Sequence, residues 1–157
     1  PDNGESTIES RMRAIFEGLT KEQLELIAGC AHNTGFNAGE RMFREGDPAD
    51  TFYVVRKGRV SLSTHAPARG SVVIETLDPG EIVGWSWIFP PYVWHFDARA
   101  VDDVRVVAFD GACLRGKCES DHALGYELMR RFAGVMIDRL LHTRLRLLDL
   151  YGRSGDS

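Results

Sequence analysis

Between Asn37 and Asp110 the chain is a succession of short segments rich in Val, Thr, Phe and Tyr, cut by Gly, Pro and Asp at regular intervals. That texture is the signature of a sandwich or barrel and dominates every other constraint on the fold. Strands are predicted at 41–44, 51–56, 59–64, 71–77, 96–100 and 104–109. Lys57-Gly58 reads as a tight hairpin turn, Pro79-Gly80 fits positions i+1 and i+2 of a type II turn, and the stretch from His65 to Gly70 reads as a flexible excursion.

The flanks carry the other period. Ile8, Met12, Ile15 and Phe16 recur at helical spacing until Gly18, and Thr20 with Gln23 forms a capping-box pattern that starts a second short helix at Lys21. After Asp110 the pattern is helical almost to the end, with a long helix expected over residues 121–150. Two apolar stripes run along it. Met136, Leu140, Leu147 and Leu150 belong to one, and Ile137, Leu141, Leu145 and Leu148 to its neighbour. One stripe can cover the β-core while the other pairs with a second copy, so a homodimer on Met136, Leu140, Leu147 and Leu150 is expected. The fold class is mainly β with flanking helices, a double-stranded β-helix of jelly-roll type. Residues 1–10 are read as a flexible N-terminus, 11–150 as one domain and 151–157 as a tail.

With 157 residues and 43% apolar content, the chain can build one compact core. A net charge of −4 gives no global basic field to attract nucleic acid or an anionic membrane. No apolar run approaches the ~20 residues that span a bilayer, and the first ten residues lack a basic segment followed by an apolar one. Cys30, Cys113 and Cys118 form a sparse, odd set, expected to be ordinary thiols in a reducing compartment. A cytoplasmic location is expected, with neither membrane nor DNA as partner. YGRSGDS, the stretch after Leu150, is too short for a recognition helix and its support.

The stretch PGEIVGWSWIFPPYVWHFDARA, from Pro79 to Ala100, combines a glycine-framed loop with an unusual lining. Gly80 and Gly84 permit tight turns of the kind that cradle a phosphate, yet no Lys or Arg occurs between Pro79 and Ala98. Trp85, Trp87, Phe89, Tyr92, Trp94 and Phe96 occupy it instead. A pocket formed by Gly80, Glu81, Gly84, Trp85, Ser86, Trp87 and Trp94 would therefore be apolar and aromatic, offering stacking faces to a flat ligand. The same aromatics could equally fill the core. Trp94, just beyond Pro90-Pro91, is the better candidate for an open wall, and Trp85 for a partly buried one.

Catalytic patterns are absent. His32, His65, His95, His122 and His142 stand singly, without the paired spacing of a jelly-roll metal site, and no serine-nucleophile, P-loop or Rossmann glycine pattern occurs. No metal and no cofactor is implied. Arg130, Arg131, Arg139, Arg144 and Arg146 alternate with Asp138, Asp149 and leucines, as on a solvated helix face.

FREGDPADTFYVVRKGRVSL, then LDPGEIVG, then a short cassette and DARAVDDVRVVAFD, within helix–β-roll–helix order, closely resemble the cyclic-nucleotide-binding domain of the catabolite-activator and anaerobic-regulator superfamily. The resemblance spans residues 19–150 and rests most on Gly46-Asp47, FYVVRKG and PGEIVG. It implies a Glu directly after the second cassette glycine, bonding a ribose hydroxyl, and an Arg near the end of the cassette, pairing with the cyclic phosphate. Here Trp85 stands in the first place and Trp94 near the second. An indole offers one N–H donor and an apolar face, so neither can take over those tasks. A short helix beginning near Trp85 could still present backbone N–H groups to an anion. The reading is a non-catalytic sensory or adaptor domain acting through an atypical small ligand or a protein partner. A cyclic AMP or cyclic GMP receptor with an unorthodox cassette is the alternative, and a cupin-like enzyme comes third.

Overall fold

The computed structural model describes residues 16–155, apart from the side chains of 142–147 and 149–155. All of the predicted helix over Ile8–Phe16 but its last residue, the polar start, and the side chains of Leu145, Leu147 and Leu150 therefore lie outside the described residues. Helix α1, Lys21–Ala28, begins where the capping box places it: the Gln23 N–H donates to Thr20 Oγ1 at 3.1 Å, and the Thr20 N–H to Gln23 Oε1 at 3.0 Å.

Eight strands follow: β1 (Ala31–Phe36), β2 (Arg41–Phe43), β3 (Thr51–Lys57), β4 (Val60–Ala66), β5 (Gly70–Leu77), β6 (Ile82–Val83), β7 (Asp97–Ala100) and β8 (Val104–Asp110). They form two antiparallel four-stranded sheets, ordered β1-β8-β3-β6 and β2-β7-β4-β5. Helices α2 (Gly111–Ser120) and α3 (His122–Gly155) close the described chain. Asp121 separates them: its N–H donates to the Lys117 carbonyl at the end of α2, and its side chain accepts from the Leu124 N–H at the start of α3.

Alternation along the first sheet sends residues to two different cores. Val55, Val83, Val104 and Val106 pack against the second sheet, together with Phe43, Val60, Leu62, Leu77 and Ala98. Phe52, Val54, Ile82 and Phe109 pack against the helices, meeting Leu114, Leu124, Leu128 and Phe132. The central residues of β3, β6 and β8 thus lie in a middle layer covered on both faces, where the period-2 rule calls for apolar side chains on each.

Two turns differ from expectation. Lys57-Gly58 joins strands of different sheets, so it is a corner and not a hairpin. Its Gly58 has φ +82°, and a Cβ there would lie 2.5 Å from the Asp103 carbonyl oxygen. Side-chain volume, more than turn type, demands glycine at this corner. The hairpin is β4–β5, in which the pairing of Ala66 with Gly70 shortens the supposed excursion to a tight reversal. Strands β1 and β6 were not expected.

The cysteines also differ. Cys30 and Cys113 form a disulfide across 83 residues, tying the end of α1 to the first turn of α2 beside a bond from Lys117 Nζ to the Leu26 carbonyl at 2.6 Å. This removes the argument by which cysteine usage pointed to a reducing compartment. Cys118 is a free thiol whose pKa is raised by burial, then by Asp121 and Glu119, so it is a weak nucleophile at neutral pH. Closing a loop of that length restricts the unfolded chain by about 4.5 kcal/mol in the chain-entropy account. Urea unfolding with and without a thiol reductant should show a loss of that order, and coincident curves would contradict the cross-link.

Candidate functional site

The cassette leaves the second sheet through the expected turn. Gly80 has φ +92°, the Glu81 N–H donates to the Asp78 carbonyl at 3.1 Å, and the Glu81 carboxylate folds back to accept from the Asp78 N–H at 3.3 Å. The Gly80 N–H donates to the Val55 carbonyl at 2.7 Å and the Glu81 carbonyl accepts from the Val55 N–H at 3.0 Å. These bonds lead into β6, where Ile82 faces Val54 and Val83 faces Tyr53 on β3.

At Gly84 the strand ends, with φ +95°. The Trp94 indole lies directly on this glycine: a Cβ there would meet Trp94 ring atoms at 2.4 and 2.6 Å. Phe43 stacks on the same indole, centroids 3.7 Å apart and planes within 10°. Trp94 is 5% exposed and belongs to the core between the sheets. It is not the open wall expected from its place after Pro90-Pro91. Irregular backbone on either side does not make a side chain accessible, because the return stretch is itself zipped to the connection between β2 and β3. The Trp94 N–H donates to the Asp47 carbonyl at 2.9 Å, the Gly46 N–H to the Trp94 carbonyl at 2.8 Å, and the Ala49 N–H to the Tyr92 carbonyl at 2.7 Å.

The turn between these points sends Trp87 the opposite way. Trp87 is fully buried in the helix-facing core, stacked on Phe52 at 5.0 Å and edge-on to Phe132 at 5.4 Å. Ser86 is buried beside it, Trp85 is half-buried, and Phe89 is exposed. Residues 85–91 form turns and bends with an Ile88-to-Trp85 bond, so the short helix proposed as an anion site does not form.

Two cations enter from outside the cassette. On α2, Arg115 donates through Nη1 to the Trp87 carbonyl at 2.5 Å and lays its guanidinium 4.2 Å over the Tyr92 ring. On α3, Arg139 donates to the Ile82 carbonyl and places its guanidinium 4.9 Å from the Trp85 ring centroid. Arg139 is only 9% exposed, which corrects its assignment to a solvated face. Burial lowers its pKa, while Glu75 and Glu81 act in the opposite direction. Leu124, Leu128, Phe132, Val135 and Arg139 follow one another at intervals of three or four, and this continuation of the buried stripe was the signal available in the sequence. Arg131 is half-buried and paired with Glu127 at 3.6 Å, whereas Arg130 is exposed.

Among the described residues no three His, Cys, Asp or Glu side chains converge to hold a metal, and no helix is long and apolar enough to cross a membrane.

A two-sheet antiparallel β-roll, interrupted by a glycine-framed cassette and flanked by helices, defines the class. The profile of the cyclic nucleotide-binding domain matches residues 34–121, more than half of the 157-residue chain, and the chain belongs to that family. A CRP-like cAMP-activated global transcriptional regulator of Mycobacterium tuberculosis is 26% identical over 136 residues, covering 87% of this chain and 59% of the regulator. The chain thus spans about three fifths of that curated relative. An acetyltransferase, Pat, of Mycolicibacterium smegmatis is 36% identical over 70 residues, covering 45% of this chain and 21% of the enzyme. Among solved structures, a provisionally named cyclic nucleotide-binding protein from Geobacter metallireducens GS-15 superposes with a TM-score of 0.75 at 34% identity, covering 84% of this chain and 96% of that one.

If Trp94 fills the cassette, Trp94→Ala leaves a cavity between Gly84 and Phe43 and should cost about 3–5 kcal/mol, read as a lower urea midpoint at constant slope. An unchanged midpoint would show that the indole has solvent on one side.

Proposed function

We propose that this chain is a non-catalytic regulatory domain whose cassette no longer accepts a cyclic nucleotide and which works through an atypical small ligand or a protein partner. The observation that carries this reading is the Trp94 indole seated on Gly84 and stacked on Phe43. A phosphate at the turn would have to displace a buried aromatic ring and would meet no cation belonging to the cassette. Burying an unpaired phosphodiester charge costs several kcal/mol. Arg115 and Arg139 are turned to backbone carbonyls and aromatic faces.

Titration calorimetry with cyclic AMP and with cyclic GMP should show no saturable heat at micromolar concentrations. Micromolar affinity for either would overturn the reading in favour of a nucleotide receptor with an unorthodox cassette.

Exposed apolar residues on α3 favour self-association as the mode of partnering. Leu140 is 60% exposed, with Ile137, Leu141 and Leu148 also exposed and Met136 half-buried. Leu147 and Leu150, outside the described side chains, extend the first stripe in sequence. Leu140→Glu should convert a homodimer into a folded monomer, because an unpaired carboxylate in an apolar interface is costly. Sedimentation of the unaltered protein as a monomer at tens of micromolar would exclude this mode.

A further inference from the structure

Around Trp85 the cassette already has an occupant, and that occupant is a cation. Arg139 spans from α3 to donate to the Ile82 carbonyl while its planar group lies over the Trp85 indole. Glu75 on β5 and Glu81 in the turn are near enough for their charges to favour its protonated form, although burial outweighs them. The ring face and the main-chain oxygen that Arg139 touches are both electron-rich, and the charges of the two carboxylates add to the same preference. Such a set attracts a flat cation with several N–H donors, and it repels a phosphate. The charge preference of this subsite is opposite to that of an anion cradle. Arg139 is also more than nine-tenths buried, so the seat encloses the group.

We propose that Trp85 and the Ile82 carbonyl form a guanidinium-binding site, that Arg139 is its resident ligand and fastens α3 to the cassette, and that an alkylguanidinium group from outside competes for the same seat. This inference deepens the closed-cassette reading and rests on it. Displacing Arg139 removes the polar tie between α3 and β6, the strand that opens the cassette, while the packing of Ile82 against α3 remains, and so couples ligand entry to the helix that carries the exposed apolar stripes. The competing group could belong to a free guanidino compound or to an arginine side chain of a partner, since both present the same fork of donors.

Replacing the occupant tests the site. Arg139→Ala should lower the melting temperature, and ethylguanidinium should restore it saturably in the millimolar range expected of a fragment that makes one stacking contact and a few hydrogen bonds. Ethylammonium has the same charge without the planar fork and should be roughly fivefold less effective or worse. Adding Trp85→Ala to Arg139→Ala should abolish the response. No saturable rise with ethylguanidinium, an equal rise with ethylammonium, or a response indifferent to Trp85 would each overturn the proposal. An acetylated, amidated Gly-Arg-Gly peptide binding Arg139→Ala more tightly than ethylguanidinium supports the site with a protein-borne ligand, and weaker binding supports it with a free one.

Should Arg139→Ala fail to fold, Trp85→Ala alone in the otherwise unaltered chain provides the second test. Amide exchange on α3 near residues 136–141 should accelerate by roughly threefold to tenfold while β3 and β8 stay unchanged, and unaltered exchange on α3 would contradict the latch. Nucleotide calorimetry reports separately: a protein that binds cyclic AMP and still shows the ethylguanidinium rescue loses the closed cassette and keeps this site. One that does neither loses this site alone.

Discussion

Trp94 pressed against Gly84 is the contact from which the rest of the cassette takes its shape. The ring can reach that place only because residue 84 has no Cβ, and it stays there because Phe43 covers one of its faces. Holding the indole between the two sheets requires the return stretch to lie along residues 46–49, and the bonds from Gly46, Ala49 and Trp94 fix it there. The Gly46-Asp47 motif and the glycines of the cassette are thereby parts of one construction.

The cassette is also anchored on the opposite side of the first sheet. Trp87 enters the helix-facing core between Phe52 and Phe132, so a loop of mostly irregular backbone has one tryptophan in each of the molecule's two cores. Arginines then link this loop to the helices: Arg115 joins α2 to the Trp87 carbonyl, and Arg139 joins α3 to the Ile82 carbonyl. The Cys30–Cys113 bond and Lys117 hold α2 to α1 in turn. Helices and cassette form one mechanically continuous unit.

Much of this was legible in the sequence because local chemistry dictated it. Thr20 with Gln23 specified where α1 begins, Pro79-Gly80 specified the turn, and segments rich in Val, Phe and Tyr specified β3 and β8. The β-roll and its family followed from the order of those signals. What escaped depended on contacts distant in sequence. Strand β1, AHNTGF, is largely polar because it is an edge strand, and only its pairing with β8 makes it a strand. Strand β6 has just two residues, too few for any period to show. Trp94 looked exposed from its neighbours Pro90 and Pro91, although a stacking partner 51 positions earlier buries it. Arg139 looked solvated from its charge, although its place on the helix continued the buried stripe. Cys30 and Cys113 lie far apart in sequence, and nothing local marks them as a pair.

The central claim is that the family's phosphate position is filled by this chain's own indole. Crystals grown with millimolar cyclic AMP provide the most direct measurement. The account predicts Trp94 stacked on Phe43 and in contact with Gly84, with no nucleotide between the Gly80 turn and the return stretch. A nucleotide seated there, with the Trp94 ring swung away from Gly84, would contradict it.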